Sequence, residues 1–352
     1  MSSNSREALM RQFVPKLLTI LSAALLLSAC GGGSSGGAQQ PSPPVTYTYA
    51  APADIGDGWQ VSSLTAEGLD TDNIVSMMER ILNGNFPGID SVAIAKNGKL
   101  VHYWFGNRNL TDFDAWIGNT DRERHVLHST SKSFTSALVG IAVDQGFIAS
   151  TQVGFYDLFS YPSYANWDPR KDDMTLEDAL TMQLGLEWDE WTLPYTDSRN
   201  DLVALNSRNS DWAKALLDLP MAQDPGTSFT YNTAATNAIG QAVENATGMP
   251  LADFANMYLF LPMQINDAQW ATTPTGLPIG GSGLFLKTRD LMKFGQLYLD
   301  NGVCQGQQLI SADWVADTVV RRVDISSWAT FSEAYGFQWW LDDLNYQGQL
   351  VE

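Results

Sequence analysis

The sequence predicts an α+β protein in which an antiparallel sheet adjoins a mainly helical region. Three observations carry that prediction. Ser91–Lys96 and Lys99–Phe105 are β-prone runs on either side of Asn97-Gly98, a dipeptide suited to a two-residue type I′ hairpin turn. Just before them, Ile74, Met77, Met78, Ile81 and Leu82 recur at helical spacing and Gly84 closes the run, which describes an amphipathic helix able to cover the hairpin. Finally, the stretch from Ser129 to Gln145 is apolar on most faces and stops at Gly146, as a buried central helix does. Ser129 then falls where sheet and helices meet.

The later elements follow from the same signals. Asn237 to Thr247 reads as a helix closed by Gly248. Gly280-Gly281-Ser282-Gly283-Leu284 reads as a glycine-rich turn. Thr288 is placed as the N-cap of the helix through Leu299, and Tyr335 to Trp340 as a late strand. From Trp59 to Glu352 the chain is long enough for a large core, most simply one two-region domain.

The chemistry is concentrated where the central helix begins. Positions three apart share a helix face, so Ser129 and Lys132 hold their side chains against each other. A serine hydroxyl is a weak nucleophile, and an amine can deprotonate it only if burial pushes the lysine toward its neutral form. The helix start adds N–H groups and a positive dipole end, which suit a developing oxyanion. A capping serine beside a surface lysine gives the same four letters, so the pattern needs a partner. Tyr231, followed by Asn232 and Thr233, supplies one about a hundred residues later.

Together the Ser129–Lys132 pattern, Thr175 to Trp188, Tyr231, the Gly280–Leu284 turn and the Tyr335–Trp340 stretch resemble the serine hydrolases of the class C β-lactamase and penicillin-binding type. The likeness runs over roughly residues 64–349, and within it favours the 6-aminohexanoate-dimer hydrolase and esterase branch over a dedicated lactamase. It implies a β-lactamase-like fold and ester or amide cleavage through an acyl-enzyme on Ser129. Lys132 and Tyr231 would share the proton, and the Ser129 N–H would give half of an oxyanion hole. Thr233 would contact substrate, and no cofactor is implied. Two departures stand out. Thr233 occupies the place of the asparagine that helps hold a lactam side chain, which weakens the β-lactamase or D-Ala-D-Ala peptidase alternative. The family's third motif, K-T-G or H-x-G, is expected after Trp340, and Glu352 is reached before it, so the family's C-terminal strands and helix are expected to be absent here. That expectation keeps open a second class, an impaired or non-catalytic envelope binding protein with the same fold. Lys287-Thr288 is a poor substitute for the motif because Arg289 stands where its glycine should be.

The cellular address is legible in residues 1–58. Arg6, Arg11 and Lys16 precede an apolar run from Leu17 to Ala29, too short to span a bilayer but suited to a signal peptide at 1–29. Leu27-Ser28-Ala29-Cys30 resembles a bacterial lipobox, which makes Cys30 the lipidation site and a lipid bilayer the expected partner, with the protein on the outer membrane facing the periplasm or the exterior. Residues 30–58, rich in Gly, Ser and Pro at the start, are expected to form a flexible linker, and 59–352 the hydrolase domain. Gly32-Gly33-Ser34-Ser35-Gly36 matches G-x-S-x-G only as letters, since no strand or helix flanks it.

Composition excludes other classes. The net charge of −19 becomes −21 when residues 1–29 remove three cations and one anion. Such an acidic surface argues against nucleic acid and polyanionic substrates and favours solubility, while a small ester or amide substrate is what the resemblance implies. The two cysteines are Cys30 and Cys304, so with Cys30 lipidated no internal disulfide is expected. The three histidines, His102, His125 and His128, precede Ser129; His102 sits in a predicted strand, and His125-x-x-His128 has no carboxylate-rich or cysteine neighbourhood, so no metal site is expected. Among the 12 tryptophans, Trp188, Trp191, Trp339 and Trp340 could wall an aromatic cleft or simply pack. Glu187, Asp189 and Glu190 are read as a solvated loop.

Overall fold

The computed structural model describes residues 44–346 and 349–351. The proposed signal peptide, the Cys30 anchor and the linker up to residue 43 lie outside the described residues. The Asn97-Gly98 hairpin forms as expected, with both residues at positive φ (52° and 72°), as a type I′ turn requires. Ser91–Lys96 pairs antiparallel with Lys99–Phe105 through a register shift between Ile94 and Ala95. The short strand Gln60–Val61 joins their edge in parallel. A second sheet orders Arg124–Val126, Leu284–Lys287 and Gln269–Trp270, and a third Val323–Asp324, Ala334–Tyr335 and Trp340–Leu341. The expected single antiparallel sheet is thus divided into small sheets, one with a parallel edge.

The central helix spans Ser131–Asp144, and every side chain from Ser131 to Ala142 is buried. It can be buried all round because its polar side chains are satisfied from several directions. Ser131 accepts from the Leu284 N–H (3.1 Å), while Ser133 donates to the Gln338 carbonyl (3.0 Å) and Thr135 to that of Gly280 (2.9 Å). These bonds tie the helix to two distant segments, the Gly280–Leu284 turn and Gln338. Its neighbour, the helix Thr233–Thr247, is capped by Asn232 accepting from the Ala235 N–H and ends at Gly248 in the left-handed region. Gly140 lets Trp314 lie directly on the central helix: a Cβ there would stand 2.5 Å from the indole ring.

Three expectations need correction. Residues 45–58 are not all linker. Val45 donates to Asn83, Tyr49 to the Val101 carbonyl, and Asp57 pairs with Arg289, so this segment is pinned to the domain. Tyr335–Trp340 is not one strand. Gln338 turns into the left-handed region (φ 65°), and its buried amide donates to the Leu180 and Ala179 carbonyls while Thr236 donates to its oxygen. Those bonds reward the break. Thr288 is the first helical residue rather than a cap, its hydroxyl paired with Ser91. No helix among the described residues is long and apolar enough to cross a membrane.

Gly140→Ala tests the packing. Alanine is the better helix former by about 1 kcal/mol, but the clash with Trp314 belongs to an overpacked core, which typically costs about 1–3 kcal/mol. Urea unfolding should show net destabilisation, and a stabilised variant would mean that Trp314 moves freely.

Candidate active site

The chain arrives at Ser129 from the strand Arg124–Val126. Leu127 donates its N–H to the Leu284 carbonyl, then His128 turns into the left-handed region (φ 45°) and Ser129 sits in a single 3-10 turn before the central helix. A non-glycine residue held there costs about 1–3 kcal/mol, strain that tends to persist where a side chain must be aimed. Phe113 steadies the His128 ring edge-on at 5.2 Å. The result is an exposed Ser129 beside a fully enclosed Lys132.

Lys132 Nζ donates to three oxygens from three parts of the chain: Ser129 Oγ (3.3 Å), Thr233 Oγ1 (2.9 Å) and the Gly281 carbonyl (2.8 Å). Burial pushes its pKa down to about 8, and the Glu190 carboxylate opposes part of that shift. Lys132 also lies 4.9 Å from the centre of the Tyr231 ring. Tyr231 is buried, which raises its pKa above the ordinary tyrosine value, and the Ser129 hydroxyl opposes part of that shift. The structure therefore brings Ser129, Lys132, Tyr231 and Thr233 into one cluster.

Thr233 is not open to solvent. Its hydroxyl lies behind Lys132, between the ammonium and Glu190. Glu190 is the larger surprise. Read from sequence as part of a solvated loop, it is 1% exposed and accepts from the Thr233 N–H and hydroxyl (both 2.7 Å), Trp188 Nε1 (3.0 Å) and the Tyr195 hydroxyl (3.4 Å). Asn200 fixes its loop by donating to the Glu190 and Leu193 carbonyls. Glu187 and Asp189 remain exposed, and Asp189 only caps the turn at Trp191 and Thr192.

The Gly280-Gly281 turn has to be glycine for a packing reason. A Cβ on Gly281 would stand 2.7 Å from Thr233, and one on Gly280 2.9 Å from Thr135 Oγ1. Asn237 holds the turn by accepting from the Gly281 N–H (2.8 Å). Lys287 is engaged elsewhere, in ion pairs with Asp121 and Asp267.

Aromatic side chains surround Tyr231. Its ring centre lies 5.3 Å from Trp340, 5.9 Å from Trp191 and 6.2 Å from Trp328, and Trp191 is half exposed. A surface depression of about 470 Å³ lined by Arg170, Asp173, Glu177 and Asp178 includes none of these residues. Chemistry rather than volume marks the site. Among the described residues, no group of three or more His, Cys, Asp or Glu side chains is placed to hold a metal ion.

Likeness to known proteins gives the family and the fold. The sequence model of the beta-lactamase family matches residues 71–352. The 6-aminohexanoate-dimer hydrolase of Paenarthrobacter ureafaciens is 27% identical over 236 residues, covering 62% of this chain and 58% of that protein's length. Two solved structures share the fold. EstCE1, a hydrolase with promiscuous acyltransferase activity, has a TM-score of 0.56 at 15% identity and covers 81% of this chain and 83% of its own. The octameric penicillin-binding protein homologue from Pyrococcus abyssi has a TM-score of 0.55 at 18% identity, over 80% and 67% of the two chains. The chain thus belongs to the beta-lactamase family, a family of hydrolases, and has its α+β fold.

Proposed function

We propose that this protein is a serine esterase or amidase that works through an acyl-enzyme on Ser129. The observation that carries the reading is a fully buried lysine, with a pKa lowered to about 8, whose nitrogen reaches an exposed serine at a helix start. Neutral Lys132 takes the Ser129 proton as Oγ attacks the substrate carbonyl. The Ser129 N–H, in a first helical turn where backbone donors lack intrahelical partners, supports the oxyanion. Tyr231, whose raised pKa keeps it protonated, relays a proton to the leaving alcohol or amine, and water then releases the acyl group by the reverse path. The half-exposed Trp191 beside Trp328 (4.6 Å) and the exposed Phe331 favour an apolar group on the substrate. The name of the curated relative, a 6-aminohexanoate-dimer hydrolase, supports hydrolytic cleavage of such a substrate. The amino-terminal sequence supports a lipid anchor at Cys30 and a place in the cell envelope.

A fluorophosphonate should add its mass at Ser129, and Ser129→Ala should remove it. On one preparation, kcat/KM for p-nitrophenyl butyrate should exceed that for nitrocefin. Label on another serine refutes the mechanism, and a strong preference for nitrocefin refutes the substrate class.

The pH dependence follows from the lysine. With a pKa of about 8, roughly a tenth of Lys132 is neutral at pH 7 and roughly nine tenths at pH 9. For a base of that pKa, kcat/KM should rise about tenfold over this interval and then level off. Lys132→Arg cannot readily deprotonate and should lose about 10²-fold or more. A flat profile, or an arginine variant near wild type, would remove Lys132 from the proton path.

A further inference from the structure

Glu190 has no part in that scheme, yet it is buried at 1% exposure with four donors converging on its two oxygens. Burying a carboxylate is expensive unless it is fully hydrogen-bonded, so its place behind the lysine calls for an account. Hydrogen counting supplies one. Thr233 Oγ carries a single hydrogen, and that hydrogen is donated to Glu190 Oε1 at 2.7 Å. Toward Lys132 the Thr233 oxygen can then only accept. The Gly281 carbonyl, 2.8 Å from Nζ, has no hydrogen to give and also can only accept. A neutral amine has two N–H bonds and one lone pair. Both N–H bonds are claimed by these acceptors, so what remains faces Ser129 Oγ at 3.3 Å.

We propose that Glu190 is a positioning residue: by taking the Thr233 hydroxyl proton, it makes Thr233 a fixed acceptor and thereby turns the Lys132 lone pair onto Ser129. The inference rests on Ser129 being the nucleophile and deepens that reading by explaining how the base is oriented. Glu190 also acts as a nearby negative charge that opposes the effect of burial on Lys132. The two roles separate under mutation. In Glu190→Gln the side-chain amide can donate to Thr233 Oγ1, which frees the threonine hydrogen to point at Lys132 and occupy its lone pair. Losing the negative charge should also move the titration of Lys132 to lower pH.

The test is the rate of Ser129 acylation by a fluorophosphonate, followed from about pH 6 to about pH 10 in wild type, Glu190→Gln, Thr233→Ser, Thr233→Val and the Glu190→Gln/Thr233→Val double variant. Misorientation of a reacting group costs up to the order of 10²-fold, so Glu190→Gln should slow acylation by about 10- to 10²-fold, with a midpoint displaced to lower pH. Thr233→Val should slow it comparably, Thr233→Ser should restore most of the rate, and the double variant should be no slower than the slower single one because both act through one hydroxyl. A wild-type rate and midpoint in Glu190→Gln would overturn the proposal, as would costs that multiply in the double variant. Should Glu190→Gln fail to melt cooperatively, the serine and valine variants decide, and equal rates in those two overturn it. A wild type that takes no label at Ser129 would instead refute the nucleophile itself and the positioning role with it.

Discussion

The burial of one ammonium group is the constraint on which the site depends. Water would hold the Lys132 charge better than this interior does, and the shift from the ordinary lysine value to about 8 measures the difference. By linkage, the unfolded chain binds this proton more tightly than the folded one. The folded state therefore forgoes about 3 kcal/mol below pH 8, and the loss is relieved as pH rises from about 8 toward the unfolded value near 10.5. Such a cost is tolerable only where every N–H has an acceptor, which Ser129, Thr233 and Gly281 provide. The same cost makes the amine a usable base near neutral pH.

Those acceptors lie far apart in sequence, so the fold exists in part to collect them. The central helix does so with its own polar residues. Ser131 and Thr135 bind the segment that contains Gly280 and Leu284, and Ser133 binds Gln338. The packing of Thr233 against a glycine without a side chain then sets the distance between the two helices and the Gly281 carbonyl. The proposed chemistry requires rigidity here, because a reacting group displaced by about 1 Å can lose 10²-fold in rate.

Much of this was legible in the sequence because local physics fixed it. Asn97-Gly98 had to be a tight hairpin, the run after Ser129 had to be buried, and Ser129, Lys132 and Tyr231 carried recognisable side-chain chemistry. The remainder depends on tertiary contacts that leave no local mark. Glu190 stands between exposed Asp189 and half-exposed Trp191, in a stretch whose composition reads as solvated, and only its meeting with Thr233 shows otherwise. The acceptor at Gly281 is a main-chain carbonyl, which any residue possesses. Gln338 breaks an apparently continuous strand because its amide is worth more to the Leu180 and Ala179 carbonyls than an extended backbone would be. Thr288 had the right chemistry for a cap and spends its hydroxyl on Ser91 instead.

A buried lysine whose pKa is lowered to about 8 is the claim from which the chemistry follows, and it can be measured without any substrate. Carbon-13 lysine labelling with an NMR pH titration, the Lys132 signal being assigned by its loss in Lys132→Arg, reports the ionisation of that amine directly. The account predicts a midpoint near 8, separated from solvent-exposed lysines that titrate near 10.4. A Lys132 midpoint above 10, among the other lysines, would contradict it.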